Sequence, residues 1–348
     1  MFDAILGRLT AGQNLSMADM ASAIDVVMRG EIDEARIALL LTALKAKGET
    51  VDELAGAAAA MRTHMTPVRS TRADLLDTCG TGGDASGTFN ISTAAALVAA
   101  GAGVPVAKHG NRSITSRSGS ADVLTELGIN VEADVEVIEA CLNEVGICFC
   151  FAPKLHPAMR HVALVRRMLG VPTIFNLLGP LCNPASAPRQ LLGSGRRETA
   201  RMLAAALGRL GTERAIVVTG SDGLDEVTLA GPTHVIEVTG SGKLSTQVAE
   251  SSALREFAWT PADFGLQRLD LASLCIDSPQ QSAAMIREVL DATPGPARDI
   301  VVANAAAALW VGGKVESPAA GAKLAAEAID RGAAAHVLAQ WAKVSHSG

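Results

Sequence analysis

The run Asp77-Thr78-Cys79-Gly80-Thr81-Gly82-Gly83-Asp84, followed by Asn90-Ile91-Ser92-Thr93 and an alanine-rich stretch, carries the clearest chemical signal in this chain. Leu75 and Leu76 read as the end of a buried strand and Ser92 or Thr93 as a helix start. The glycines between them can turn backbone N–H groups toward an anion, which makes a phosphate cradle. The spacing matches neither common cradle. Ala85 stands where a dinucleotide loop needs its third glycine, and no Gly-Lys-Ser/Thr triplet follows. The competing reading is a tight turn and nothing more.

Two other segments bear on that choice. A short strand at 104–107 runs into Lys108-His109-Gly110-Asn111-Arg112-Ser113-Ile114-Thr115-Ser116-Arg117-Ser118-Gly119-Ser120, a loop with three cations and five hydroxyls. Parallel strands end on one edge of an open sheet, so two successive strand-to-helix loops would meet at one crevice. A solvated basic turn is the alternative. The apolar strand 215–219 then delivers Asp222-Gly223-Leu224-Asp225-Glu226 to the same edge. Carboxylates repel phosphate, so acids beside an anion site point to Mg²⁺, which bridges one or two carboxylates to phosphate oxygens. An exposed acidic turn is the plainer possibility. Together the three loops suit a polyphosphate-bearing substrate better than a monophosphate.

With these segments in order, the chain resembles the anthranilate phosphoribosyltransferase family. The resemblance rests on Gly80-Thr81-Gly82-Gly83-Asp84, Asn90-Ile91-Ser92-Thr93, Lys108-His109-Gly110-Asn111-Arg112, His156-Pro157-Ala158-Met159, Asn176-Leu177-Leu178-Gly179-Pro180-Leu181 and Asp222-Gly223-Leu224-Asp225-Glu226. It implies that anthranilate displaces pyrophosphate from 5-phosphoribosyl 1-diphosphate in tryptophan biosynthesis, with Mg²⁺ required and two ions per subunit expected. It further implies that Gly80, Gly83, Asp84 and Thr88 line the diphosphate and ribose side, with Asn90, Ile91, Ser92 and Thr93 at the helix start. Lys108, Asn111, Arg112, Ser113, Thr115, Ser116 and Ser120 would contact the phosphoribosyl part. Ser92, Asp225 and Glu226 are the implied metal ligands. Gly80, His109, Asn111, Arg166, Gly179 and Pro180 are the implied anthranilate contacts.

Chemistry supports a mechanism without a covalent nucleophile. An aromatic amine is neutral near pH 7, so the leaving pyrophosphate is the hard part, and metal plus Lys108 would answer its growing charge. His109 and His156 are the tempting general bases; hydrogen-bonded structural histidines are the other reading. Arg166 and Arg167 point about 100° apart on a helix, and the resemblance selects Arg166 for the anthranilate carboxylate, which a guanidinium fork suits.

The elements that must position these residues follow from pattern. Phe2 to about Arg69 reads as helical, with start signals at Ser16/Asp19 and Thr50/Glu53 and an apolar face through Ile37, Leu40, Leu41 and Leu44. Strands at 74–79, 104–107, 147–151, 215–219 and 234–238 then alternate with helices near 92–101, 119–127, 134–145 and 198–210, the signature of an α/β sheet covered on both faces. Helices are expected at 281–292, 298–311 and 317–344. The fold class is therefore α/β. A small helical domain over 1–70 precedes a larger domain over 71–348 with a mainly parallel sheet, of nucleoside phosphorylase/phosphoribosyltransferase type. In the family a stretch of about 159–180 rejoins the helical domain, and dimers form through that domain, with Leu40 and Leu41 as candidate contacts against a core reading.

Composition excludes some classes. A net charge of −6 and the absence of Tyr argue against general nucleic-acid binding, and the longest apolar runs fall short of a membrane span. The N-terminus lacks a signal pattern, so the cytoplasm is expected. Six cysteines without a Cys-x-x-Cys pair read as buried free thiols. The rivals to the enzyme reading are a pyrimidine nucleoside phosphorylase-like enzyme and a non-catalytic nucleic-acid-binding relative; Asp225-Glu226 and His109-Gly110-Asn111 speak against the first.

Overall fold

A computed structural model describes residues 1–84, 86–113, 116–240 and 252–347. The chain opens with four helices, α1 (Phe2–Thr10), α2 (Met17–Met28), α3 (Glu34–Lys47) and α4 (Val51–Thr63). Ser16 caps α2 by accepting from the Asp19 amide, and Thr50 with Glu53 forms a reciprocal capping box on α4, as the sequence signals predict. Then follow β1 (Leu76–Gly80), α5 (Ile91–Gly101), β2 (Val106–Gly110), α6 (Ser120–Glu126), α7 (Val135–Ala140), β3 (Ile147–Phe151), the single turn α8 (Ala152–Leu155), α9 (Arg160–Leu169), the single turn α10 (Phe175–Leu178), β4 (Arg189–Gly193), α11 (Arg197–Arg209), β5 (Arg214–Gly220), β6 (Thr233–Gly240) and β7 (Ser252–Trp259). Helices α12 (Pro279–Leu290), α13 (Pro296–Val311), α14 (Pro318–Asp330) and α15 (Ala333–Val344) close the chain.

The sheet runs β3-β2-β1-β4-β5-β6-β7, parallel through β5 and antiparallel at β6 and β7. Strand order leads one way from β1 to β3 and the other way from β4 to β5. The reversal falls between β1 and β4, and ligands of open sheets bind outside the carboxyl ends at such a point. β3 and the middle of β5 are near-continuous apolar runs because both faces are covered, while β1, β2 and β4 carry the buried polar residues Asp77, Lys108 and Gln190. One core, on the α5, α13 and α15 side, takes Leu76, Val106 and Ile216; the other takes Leu192, Ala215 and Val217 together with α11 and the N-terminal helices. Helix α9 packs on α2 and α3, and Val162 and Val165 enter that second core.

Several expectations need correction. Strands β4 and β7 were not expected, and the single helix expected over 317–344 is two, broken at Gly332 in a left-handed conformation (φ +72°). Helix α7 gives way to a π-turn at Cys141–Val145, and α5 begins at Ile91, ahead of Ser92. Leu40 and Leu41 are core residues, 0% and 1% exposed. The cysteines are free, but Cys275 is exposed and Cys79 half-buried. Among the described residues no helix is long and apolar enough to cross a membrane.

Candidate active site

Asp225 lies across the ends of β1 and β4, and two glycines make room for it. A methyl group at Gly80 would stand 2.6 Å from Asp225 Oδ2, and one at Gly193 would run into the Asp225 carbonyl oxygen. The Gly82 amide donates to Asp225 Oδ2 at 3.1 Å, and the Asp225 amide donates to Asp84 Oδ2 at 3.4 Å. Glu226 Oε1 accepts from the Ser92 amide at 3.1 Å, at the first turn of α5. The acidic turn, the glycine loop and the helix start therefore meet at one point. Asp222 is not part of it; its carboxylate accepts from Leu224 N and Thr228 Oγ1 and builds the turn.

Lys108, 2% exposed, completes this wall from β2, with Nζ donating to the Thr78 carbonyl and to Ser92 Oγ, the latter at 3.2 Å. Burial lowers its pKa, opposed by Asp77, Cys79, Glu226 and Asp225. Burial, then the Asp84 carboxylate, raise Asp225 to about 7; burial, then Asp225, raise Glu226 to about 8, against the pull of Lys108. Three carboxylates that share so few donors favour a cation among them. Among the described residues no three acidic, His or Cys side chains close around an ion by themselves.

Other candidates are placed differently. Asn90 gives its side chain to neighbours: Nδ2 donates to Ser118 O at 3.2 Å, while Oδ1 accepts from Ser118 Oγ at 2.7 Å and Ser282 Oγ at 2.8 Å. Ile91 points into the core and its N–H goes to Phe89 O. Thr93 is buried, its hydroxyl without a partner among the described residues. Thr88 bonds Ser86 Oγ and bridges Cys275, and Gly83 turns through a positive φ.

Lys108, His109 and Gly110, expected to open the second loop, belong to β2, and of the three cations Lys108 alone reaches the cradle. Arg112 pairs with Asp122 and Glu132, and Arg117 with Asp277 and the Ile276 carbonyl. Asp122, which the sequence reading passed over, accepts from the Ser113 and Gly119 amides. Ser113 bonds Ser116, Ser120 Oγ donates to the Asn111 carbonyl, and Asn111 Oδ1 accepts from the Arg112 amide. Thr115 lies outside the described residues.

Beyond the cradle stand the histidines and the aromatic wall. His109 Nδ1 is 2.9 Å from Gly179 O, and its Nε2 is 3.1 Å from His156 Nε2. Burial drops His109 to about 4; burial and then His109 drop His156 to about 3, so both rings are neutral at pH 7. A neutral His109 that donates from Nδ1 to a carbonyl has its one lone pair at Nε2, and that nitrogen is turned to His156. On α9, Arg166 is half-buried with its guanidinium 5.7 Å from the Phe175 ring centre, while Arg167 is exposed. Burial alone lowers the Arg166 pKa, and no carboxylate pairs with it among the described residues. The space beside Gly179 is open, and the Pro180 carbonyl accepts from Gln190.

Comparison with known proteins fits this arrangement. Residues 3–65 match the helical bundle domain, and residues 72–335 the a/b domain, of the glycosyl transferase family. The anthranilate phosphoribosyltransferases of Rhodopirellula baltica and Moorella thermoacetica are 51% and 49% identical, over 95% and 97% of this chain and 94% and 96% of theirs. The crystal structure of the Thermus thermophilus enzyme superposes with a TM-score of 0.89 at 41% identity, covering 98% of this chain and 99% of that one. The Saccharomyces cerevisiae enzyme, in complex with PRPP and Mg, does so with a TM-score of 0.87 at 28% identity over 100% and 98%. The chain belongs to the anthranilate phosphoribosyltransferase family.

Proposed function

We infer that the crevice between β1 and β4 carries out the reaction of that family, transferring the phosphoribosyl group of 5-phosphoribosyl 1-diphosphate to the amine of anthranilate with release of pyrophosphate, in tryptophan biosynthesis. The observation that carries this reading is the meeting of Asp225 and Glu226 with the Gly82 and Ser92 amides, each at 3.1 Å. Acids held against an anion cradle have a use when a metal joins the two, and none in phosphorolysis by inorganic phosphate alone.

Mg²⁺, two ions per subunit held by Ser92, Asp225 and Glu226, would supply charge neutralisation for the departing pyrophosphate. The chain's own groups do the remaining work. Lys108 has spent two hydrogen bonds on Thr78 O and Ser92 Oγ, which fixes its ammonium and leaves one proton for a phosphate oxygen. The Thr81, Gly82 and Ser92 amides are held by Gly193 O, Asp225 and Glu226, so the Gly83 and Asp84 amides are the ones that would turn to the anion. Ser113, Ser116 and Ser120 would join from the second loop on closure. Arg166 would take the carboxylate of anthranilate, with Asn111 and the Gly179–Pro180 wall orienting its ring. No base is required, because the amine arrives neutral, and holding it in line with the anomeric carbon can supply roughly 7–11 kcal/mol in favourable cases.

Leu39, Leu164, Met168 and Val171, 44%, 48%, 62% and 52% exposed on and beside α3 and α9, are the surface on which a homodimer would form in place of the buried Leu40 and Leu41. The cytoplasm, where thiols stay reduced, suits the free cysteines. Incubating the purified chain with anthranilate, 5-phosphoribosyl 1-diphosphate and Mg²⁺ should extinguish anthranilate fluorescence, and omission of Mg²⁺ should prevent it. Persistence of fluorescence with all three present, or phosphorolysis of a pyrimidine nucleoside instead, would refute the reading.

A further inference from the structure

A buried polar bridge joins the anion cradle to the aromatic wall, and neither substrate explains it. Gln190 sits on β4, 4% exposed, where the neighbouring Leu191 and Leu192 are apolar. Its Nε2 donates to the Pro180 carbonyl at 2.6 Å and lies 3.3 Å from Asp77 Oδ2 and 3.2 Å from Cys79 Sγ. Asp77, wholly buried on β1, accepts from the His109 amide at Oδ1, 3.0 Å away. His109 in turn holds the Gly179 carbonyl. Two successive carbonyls of the wall are thus tied to the sheet by side chains from two strands, with Asp77 linking both ties. A buried carboxylate and a buried amide cost free energy unless each finds partners; here the amide finds the Pro180 carbonyl, and the carboxylate finds the His109 N–H and Gln190 itself. Burial raises the Asp77 pKa, opposed by the His109 amide and Lys108 among others.

We propose that Gln190 and Asp77 are positioning residues for the aromatic substrate, setting where Gly179–Pro180 stands relative to the phosphate cradle. This rests on the reading of that wall as the anthranilate side. The bridge touches no metal ligand, and Gln190 lies on the far side of Asp77 from Lys108, so its loss moves the wall and spares the cradle.

The test is the Michaelis constant for each substrate in the wild type, Gln190→Leu and Asp77→Asn. Gln190→Leu strips the donor from Pro180 and should raise KM for anthranilate about tenfold, with kcat and the KM for 5-phosphoribosyl 1-diphosphate within about twofold of wild type. Asp77→Asn keeps size and the acceptor for His109 but can set an N–H against the Gln190 amide, so KM for anthranilate should rise in the same direction. An anthranilate KM unmoved in folded Gln190→Leu overturns the proposal, as does an equal rise in both constants; if that variant does not fold, an anthranilate KM unmoved in Asp77→Asn overturns it, that carboxylate also lying beside Lys108. An inactive wild type instead overturns the proposed function, and this inference falls with it.

Discussion

Arg166 is a guanidinium half out of water with an aromatic face beneath it and no acid beside it among the described residues. Such a group is best satisfied by a carboxylate brought from outside, and charged hydrogen bonds of this kind contribute about 1.5–3 kcal/mol. Arg166→Ala should therefore raise KM for anthranilate roughly ten- to hundredfold while the KM for 5-phosphoribosyl 1-diphosphate stays near wild type; steady-state kinetics with an unmoved anthranilate constant would remove Arg166 from the site. The histidine pair makes a pH prediction. His109 and His156 sit at about 4 and about 3, below the ordinary 6.5, so between those values the unfolded chain binds more protons than the folded one. Their contribution to stability is full above about pH 6.5 and drains away as pH falls toward 4. Thermal melts across that window should fall less steeply for His156→Gln than for wild type; identical slopes would show that His156 titrates in the fold as it does in the unfolded chain. At this scale the sequence is legible where adjacent residues share one chemistry, as Asp225 and Glu226 do after an apolar strand, although their partners Gly82 and Ser92 are far off in the chain. Gln190 was invisible because its partners, Asp77 and Pro180, come from another strand and a turn, and a lone Gln in an apolar run has no signature.

Strands β1 and β4 end in Gly80 and Gly193, paired in register, and the Asp225 peptide crosses directly above them. The element that carries the acids is thereby seated by the absence of two side chains. At Gly193 the obstacle to a methyl group is backbone oxygen, which cannot swing aside. Gly193→Ala should cost about 3 kcal/mol or more and displace the carboxylates, so both melting temperature and Mg²⁺-dependent activity should drop. Gly7→Ala in α1, where nothing lies within 4 Å, is the control and should be neutral or slightly stabilising. Normal activity in Gly193→Ala would mean that the acids do not depend on this crossing. Strand β4 escaped the sequence reading because Arg189-Gln190-Leu191-Leu192-Gly193 is short and begins with two polar residues. Strand β7 escaped because Leu254-Arg255-Glu256 has no alternation, its first four described side chains facing solvent at the sheet's edge. The strand leading to Lys108 and the one leading to the acidic turn were legible from the short apolar stretches 104–107 and 215–218, buried on both faces.

The two walls of the crevice belong to different bodies of packing: the acids and Lys108 stand on the sheet, while Arg166 rides on α9 among the N-terminal helices. Sequence pattern found the helices and the alternating strands but not the continuity of the second core, in which α4 packs on α11 and α11 lies against β5 and β6; that depends on which faces meet, and periodicity does not say. The chain crosses between the bodies near residues 66–68, 155 and 184, and these crossings bond to one another, Thr66 N to Leu155 O at 2.8 Å and Val68 N to Pro184 O at 3.0 Å. These ties would be the pivot if substrate draws the walls together by a hinge. Closure would order the glycine loop at 80–84 and the turn at 116–120, whose hydroxyls now bond only within the loop and to its neighbours. Hydrogen exchange at those amides should slow about tenfold or more when 5-phosphoribosyl 1-diphosphate and Mg²⁺ are added together, with little change in α13, which is buried throughout. Slowing with either alone would mean that the acids and the cradle take their ligands separately, and no slowing with both would leave the hinge without a function.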